Sequence, residues 1–240
     1  MKTRLDRLLV DRGLVESREK AQALIMAGEV LLNGQKASKP GQPVEPDAIL
    51  AVLARPPYVG RGGFKMAGAL QHFAIDVTGK VCIDVGSSTG GFTDALLQAG
   101  AARVHTVDVG AGQLAWSLRT DPRVHLHEGI NARELRPEQI GEPADLLTCD
   151  VSFISVTLIL PAAVALLQPS GQMVILIKPQ FEVGKGQVGK GGIVRDPQLH
   201  EAACHRVTGA VREFGFETSI MESPIFGAEG NKEFLLYAHH

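Results

Sequence analysis

Residues 84–93 read "DVGSSTGGFT". An apolar run, "VCIDV" (81–85), leads in, and "FTDALLQAGA" (92–101), with helical spacing, leads out. A glycine-rich turn between a strand and a helix faces a ligand in open α/β sheets. A phosphate-cradling loop needs G-x-x-x-x-G-K-[ST]. Here Gly86, Gly91 and Thr93 fit, but Phe92 stands at the lysine position. The group that neutralises the β- and γ-phosphates is missing, which argues against nucleoside triphosphate chemistry. The dinucleotide pattern G-x-G-x-x-G needs glycine at 88, where Ser88 stands. That weakens pyrophosphate binding without removing it.

What remains is an acid, Asp84, then a turn containing Gly86, Ser88, Gly90, Gly91 and Phe92. Asp108 closes the next apolar run, "RVHTVDV" (103–109), where a carboxylate can accept hydrogen bonds from ribose hydroxyls. Asn131 follows a third run and overlooks the same place. A nucleoside with a charged amino-acid tail and no phosphate suits this set, and S-adenosylmethionine is such a molecule.

The surrounding pattern alternates strands and helices. Strands are predicted at 81–85, 103–109, 124–128, 144–152, 172–178, 216–223 and 233–238, with helices between most of them. This implies an α/β fold: a doubly wound, mostly parallel seven-stranded sheet with helices on both faces. Residues 151–177 carry no charge over 27 positions, a length that suits a membrane span. Pro161 and the turn signal "QPSGQ" (168–172) break it, and it reads as a strand end, a helix of about 15 residues and a second strand.

Upstream, "LDRLLVDRG" and "REKAQALIM" read as two helices, the second capped by Ser17. "EVLLNGQKA" reads as a hairpin turning at Asn33-Gly34. Proline-rich "ARPPY" (54–58) then marks a linker. The 240 residues suffice for a small domain and a larger one. The net charge is -2, but residues 1–39 hold eight Lys/Arg against five acids, a local excess that suits a polyanion. Cys82, Cys149 and Cys204 have no metal-ligand or disulfide spacing; Cys82 and Cys149, inside apolar runs, read as buried thiols, and a reducing cytosol fits. The charged first 13 residues lack the apolar core of a signal peptide.

Four polar residues stand where a hydrophobic scaffold does not need them. Asp150 and Lys178 each end an apolar strand, Lys65 lies on a helix after the linker, and Glu233 opens the last strand. A charge at such a position is costly unless paired or functional. Two lysines and two acids near one sheet edge suit deprotonation of a ribose 2′-hydroxyl, with the glycine-rich segment 183–192 able to close over the substrate.

The stretches "RLDRLLVDRGLVESREKAQALIMAGEVLLNG", "GRGGFK", "DVGSSTGGFTDALLQAGA", "CDVSFIS", "IKPQFE" and "GNKEFL", in this order, resemble the TlyA family of ribosomal RNA 2′-O-methyltransferases, some of whose members are called haemolysins. The resemblance implies an S4-like α+β RNA-binding domain over 1–54, a linker over 55–60, and an FtsJ-like, class I Rossmann-like methyltransferase domain over 61–240. It implies a Lys65–Asp150–Lys178–Glu233 tetrad and S-adenosylmethionine held by the 86–92 loop, Asp108 and Asn131, near Asp150. It implies cytidines of ribosomal RNA, within ribosomal subunits, as substrate. Arg4, Arg18, Lys20 and Lys39 would form the RNA face, extended by Arg61. In-line attack on a sulfonium methyl needs no metal. The localisation expected is cytoplasmic, with no stable membrane association. Two other classes are weighed. A membrane-lytic haemolysin would need 151–177 as an exposable segment. A non-catalytic RNA-binding protein would keep the scaffold without binding the methyl donor.

Overall fold

A computed structural model describes residues 2–53 and 56–240. The chain divides into two compact units, Met1–Pro57 and Tyr58–His240.

In the smaller unit, helices Leu5–Asp11 and Arg18–Met26 pack through Leu5, Leu9, Ala21 and Ile25, all fully buried. Gly13 ends the first turn with φ +67°, and Ser17 accepts a hydrogen bond from the Lys20 amide as N-cap. A three-stranded antiparallel sheet places Val30–Leu32 between Gln35–Lys36 and Leu50–Val52. Asn33 and Gly34 turn the hairpin with φ of +49° and +81°, the left-handed pair that a two-residue loop requires. Below them Asp6 is fully buried. It accepts hydrogen bonds from Arg4, Arg18 and Gln22 at 2.8–3.0 Å, and these donors hold its carboxyl well below the usual carboxylate range.

The larger unit is a seven-stranded sheet. Its strands are β1 (Val81–Val85), β2 (Arg103–Asp108), β3 (Val124–Glu128), β4 (Ala144–Cys149), β5 (Leu167–Ile177), β6 (Glu217–Glu222) and β7 (Phe234–His239). Their order across the sheet is β6-β7-β5-β4-β1-β2-β3. The strands from β5 to β3 run parallel, while β7 is antiparallel to both β5 and β6. The strands buried on both faces are near-continuous apolar runs, as covering on both sides demands. Their side chains alternate between two cores. Ile83, Leu147, Ile175 and Leu236 face one, and Cys82, Leu146, Val174 and Leu235 face the other. Each such fully buried aliphatic residue contributes about 1.5–3 kcal/mol. Helices α1 (Gly62–His72) and α2 (Gly91–Gln98) cover the second core with Met66, Ala69 and Leu96. The first is covered by α3 (Pro197–Arg212), which starts on an Asp196 cap and buries Ala203, Val207 and Val211.

Two features differ from the sequence reading. The 15-residue helix predicted within 151–177 is instead a short turn, Val156–Leu158, and a five-residue helix, Leu160–Val164. The chain has no room for more, because Leu167 already pairs with Ala144 and β5 absorbs "QPSG" as a register shift. This apolar stretch ends in a central strand, and among the described residues no helix is long and apolar enough to cross a membrane. Second, Tyr58, Val59 and Gly60, expected in a 55–60 linker, pack on the larger unit. Tyr58 meets Phe64 edge-on, and the Val59 amide donates to Asp94 at 2.8 Å. Ala54 and Arg55 lie outside the described residues. The three cysteines are free and buried. Burial pushes Cys82 up to about 12 and Cys204 up to about 11, so both are inert as thiolates at neutral pH.

Candidate active site

The glycine loop leaves β1 through Gly86, whose φ of +83° favours glycine. A Cβ there would also collide with the Asp150 carbonyl oxygen at the end of the neighbouring strand β4. Gly90 caps α2 with φ +97°, in a space otherwise filled by Leu114 and Leu118. Asp84 lies beneath the loop, fully buried. Its carboxylate accepts from the Thr93 amide at 3.0 Å, the Thr93 hydroxyl at 2.6 Å and the Thr148 hydroxyl at 3.0 Å. Burial without a cation raises its pKa to about 6.

Beyond the loop opens a cavity of about 490 Å³, a size typical of small-molecule sites. Gly86, Ser88, Asp108, Asn131 and Asp150 line it, with Ile130 and Ile154 as apolar wall. Asp108 is fixed by two amides: Ser88 donates to one oxygen at 2.8 Å and Gly110 to the other at 2.7 Å. Each oxygen can accept a further hydrogen bond. Ser88 reaches this arrangement with φ +48°. Asn131 caps a short turn by accepting from the Arg133 amide at 3.2 Å. Gln113, which sequence reasoning missed, lines the cavity and accepts from the Ser88 hydroxyl at 3.3 Å. An adjoining cavity of about 350 Å³ is lined by Gly86, Gly91, Phe92, Asp150 and Lys178. Asp84 and Gly90, predicted as cofactor contacts, line neither. Asp84 points into the sheet and anchors α2, and Gly90 supplies the loop's conformation.

The four reactive candidates come together as two ion pairs. Lys65, on α1, lies 2.5 Å from Glu233, which precedes β7. Lys178, which follows β5, lies 2.5 Å from Asp150, which follows β4. That approach is off the hydrogen-bonding direction of Asp150 Oδ1, and the directed bond of Lys178 goes to Ser152 Oγ at 2.9 Å. Lys65, Lys178 and Glu233 are each less than a tenth exposed or at that limit. Together with Ser152 they line a third cavity of about 410 Å³. Ser152 and Phe153 border both this cavity and the 490 Å³ one, so the two adjoin. Phe153 is 92% exposed with φ +67°, an uncommon conformation for an aromatic residue. The only sequence signal for Ser152 is its place two residues after Asp150.

Comparison with known proteins decides the family. Residues 58–240 match the FtsJ-like methyltransferase family and residues 3–50 match the S4 domain. The 16S/23S rRNA (cytidine-2′-O)-methyltransferase TlyA of Mycobacterium tuberculosis is 48% identical over 98% of this chain and 89% of its own length. The chain belongs to the TlyA family of FtsJ-like methyltransferases. Hemolysin A of Brachyspira hyodysenteriae is 42% identical over 98% of both chains. A solved structure of a candidate hemolysin from Streptococcus thermophilus superposes with a TM-score of 0.75 at 43% identity, covering 99% of this chain and 88% of that one.

The methyl donor of an FtsJ-like methyltransferase is S-adenosylmethionine, and the 490 Å³ cavity fits it chemically. Asp108 offers a fixed acceptor for the two ribose hydroxyls. Ile130 and Ile154 offer an apolar wall for a flat ring. Gly86, which borders both this cavity and the 350 Å³ one, presents no side chain where the donor's tail would enter.

The other candidates fall in two places. Arg4 and Arg18 are about half exposed and bonded to Asp6, leaving further donors outward. Lys20 pairs with Glu16 at 2.9 Å, and Lys39 is exposed. Arg61 sits in the larger unit, where it donates to the Phe226 carbonyl at 2.7 Å and lines the 350 Å³ cavity. The glycine-rich 183–192 segment forms short turns. Asn231 pins its end, donating to the Gly192 carbonyl at 3.0 Å and accepting from the Val194 amide at 3.1 Å.

Proposed function

We propose that this TlyA-family methyltransferase transfers a methyl group from S-adenosylmethionine to the 2′-oxygen of a cytidine in ribosomal RNA, within cytoplasmic ribosomal subunits. The observation that carries this reading is the pair of lysine–carboxylate contacts beside a cavity that adjoins the one proposed for the nucleoside. The 48% identity to an enzyme named for that reaction supports the choice of acceptor.

When bound, S-adenosylmethionine supplies an electrophilic methyl on a sulfonium. The protein's part is to align the 2′-oxygen and remove its proton. Lys178 Nζ is the proposed acceptor of that proton. In the open cavity Lys178 and Asp150 form a charged pair. The route requires Nζ to be free of its proton when the ribose arrives, and Asp150 and Ser152 hold it in place. The amine then takes the hydroxyl proton as the oxygen–carbon bond forms. Ser152 orients Nζ, and Lys65, held by Glu233, steadies the ribose from the opposite wall.

The proposed cofactor residues are Gly86, Ser88, Gly91, Phe92, Asp108, Asn131 and Asp150. The proposed RNA-binding residues are Arg4, Arg18, Lys20, Lys39 and Arg61. Their long cations contact phosphate, which positions the enzyme without reading sequence.

The deciding experiment replaces Lys178 by arginine. Arginine keeps the charge but cannot give up its proton at neutral pH. Lys178→Arg is expected to bind S-adenosylmethionine and RNA yet transfer no methyl from labelled donor to purified ribosomal subunits. Near-wild-type transfer would overturn the role of Lys178 as base.

A further inference from the structure

Glu182 is a buried carboxylate to which the reaction above gives no part. It is 3% exposed and closes the short helix Pro179–Glu182, whose N-cap is Lys178. It lines none of the 490, 350 and 410 Å³ cavities. Among the described residues no lysine or arginine pairs with its carboxylate, and both oxygens are taken up by neutral donors. Oε2 accepts from the Ser155 hydroxyl at 2.5 Å and Oε1 from the Val156 amide at 2.8 Å. A carboxylate buried without a cation is costly.

The two segments it joins are those that carry the reacting groups. Asp150 and Ser152 follow β4, Lys178 follows β5, and these strands are parallel neighbours. Phe153 and Phe181 make a second contact between the same segments, with ring centroids 5.4 Å apart. The bond from Lys178 Nζ to Ser152 Oγ, at 2.9 Å, is the third. Phe153, between Ser152 and Ser155, has φ +67°, a conformation that its surroundings must hold in place. Arg206, on α3, donates to the Glu182 carbonyl at 2.7 Å and fixes the far end of this tie.

We propose that Glu182 is a positioning residue. By tying Ser155 and Val156 to the helix that Lys178 opens, it holds Ser152 within hydrogen-bonding distance of Lys178 Nζ. This rests on the ribose-methylation reading given above. A reacting group displaced by about an ångström loses rate steeply. The tie works through reach and hydrogen bonding, so its length matters and its charge does not. Glutamine can accept from the Val156 amide with Oε1 and donate to the Ser155 hydroxyl oxygen with Nε2. Aspartate is one methylene too short.

The test is a double-mutant cycle on methyl transfer from labelled S-adenosylmethionine to ribosomal subunits, with the full-length chain. Glu182→Ala and Ser152→Ala are each expected to lower kcat by about tenfold to a hundredfold. Because Glu182 acts through Ser152, the double variant should fall no more than about threefold below the slower single one. Losses that multiply overturn the proposal, as does wild-type kcat in Glu182→Ala. Glu182→Gln is expected to recover most of the activity that Glu182→Ala loses, and Glu182→Asp little of it. A glutamine variant as slow as the alanine one overturns the proposal too. Hydrogen exchange gives a readout that needs no turnover and covers an alanine variant that fails to fold. Residues 151–157 are expected to exchange faster in Glu182→Asp and Ser155→Ala, and at the wild-type rate in Glu182→Gln. Unchanged exchange in both of the first two overturns the tie. Wild type that transfers no methyl to ribose refutes the ribose-methylation reading instead, and the exchange rates then still decide whether Glu182 holds the segment.

Discussion

Asp84 and Asp150 stand at the ends of paired strands, joined where the Asp150 amide donates to the Val85 carbonyl. Their surroundings divide them. Asp84 is sealed among two threonines, and burial raises its pKa to about 6. The side chain of Asp150 is 20% exposed, meets the Lys178 ammonium and borders the 490 and 350 Å³ cavities. The same residue type, one strand apart, serves in one case as an anchor for a helix start and in the other as the ion-pair partner of a lysine. What separates them is the partner that each strand register supplies: hydroxyls for one, an ammonium for the other.

The sharpest way to break this contrast is at the ammonium. Lys178→Ala or Asp150→Ala is expected to lower kcat by about a thousandfold or more. The unfolding midpoint in urea should fall by less than for Asp84→Ala, because Asp150 is partly solvated and the pair borders open cavities. Asp84→Ala should give the reverse pattern. Losing three buried hydrogen bonds at the start of α2 is expected to cost about 2–4 kcal/mol, read from the urea midpoint, while folded protein retains turnover at saturating donor.

Acidity sharpens the contrast further. Asp84 titrates near 6 when folded and near 4 when unfolded, so the folded state holds its proton more tightly. Its stabilising contribution is present below about pH 4 and is lost as pH rises from 4 to 6. Asp84→Asn should remove that slope in the larger unit, followed by fluorescence of the single tryptophan, Trp116. Asp6 in the smaller unit is equally buried but held down by guanidinium partners. Its contribution is present above about pH 4 and fades as pH falls. The smallest expected effect is there too. Arg18→Ala should weaken ribosomal RNA binding by less than about tenfold and reduce the salt slope of log K by about one, measured by filter binding across ionic strength.

The strands of the large sheet were legible as apolar runs, and Asp108, Asn131, Asp150 and Lys178 as polar breaks at their ends. The same signature misled at Asp84, because an acid closing an apolar run looks alike whether it faces a ligand or the layer beneath. The helix predicted after β4 failed because apolar composition cannot tell helix from strand where β5 begins early at Leu167. Ser152 and Gln113 were overlooked because each is a single uncharged polar residue. Their meaning comes from a neighbour brought close only by folding. The identity of partners was also hidden: that Lys65 would meet Glu233, and Lys178 meet Asp150, depends on strand order across the sheet.

The Lys65–Glu233 pair spans 168 positions of sequence. Glu233 reaches Lys65 only because β7 inserts antiparallel between β5 and β6. During synthesis every other strand of the sheet therefore leaves the ribosome before the strand that belongs between β5 and β6. Such a non-local closure is entropically slow and comes late. A chain interrupted before residue 234 would carry the glycine loop and Asp108, while the cavity beside Lys178 lacked the strand that β7 supplies. The wall beside Lys178 is thereby among the last parts of the sheet to form.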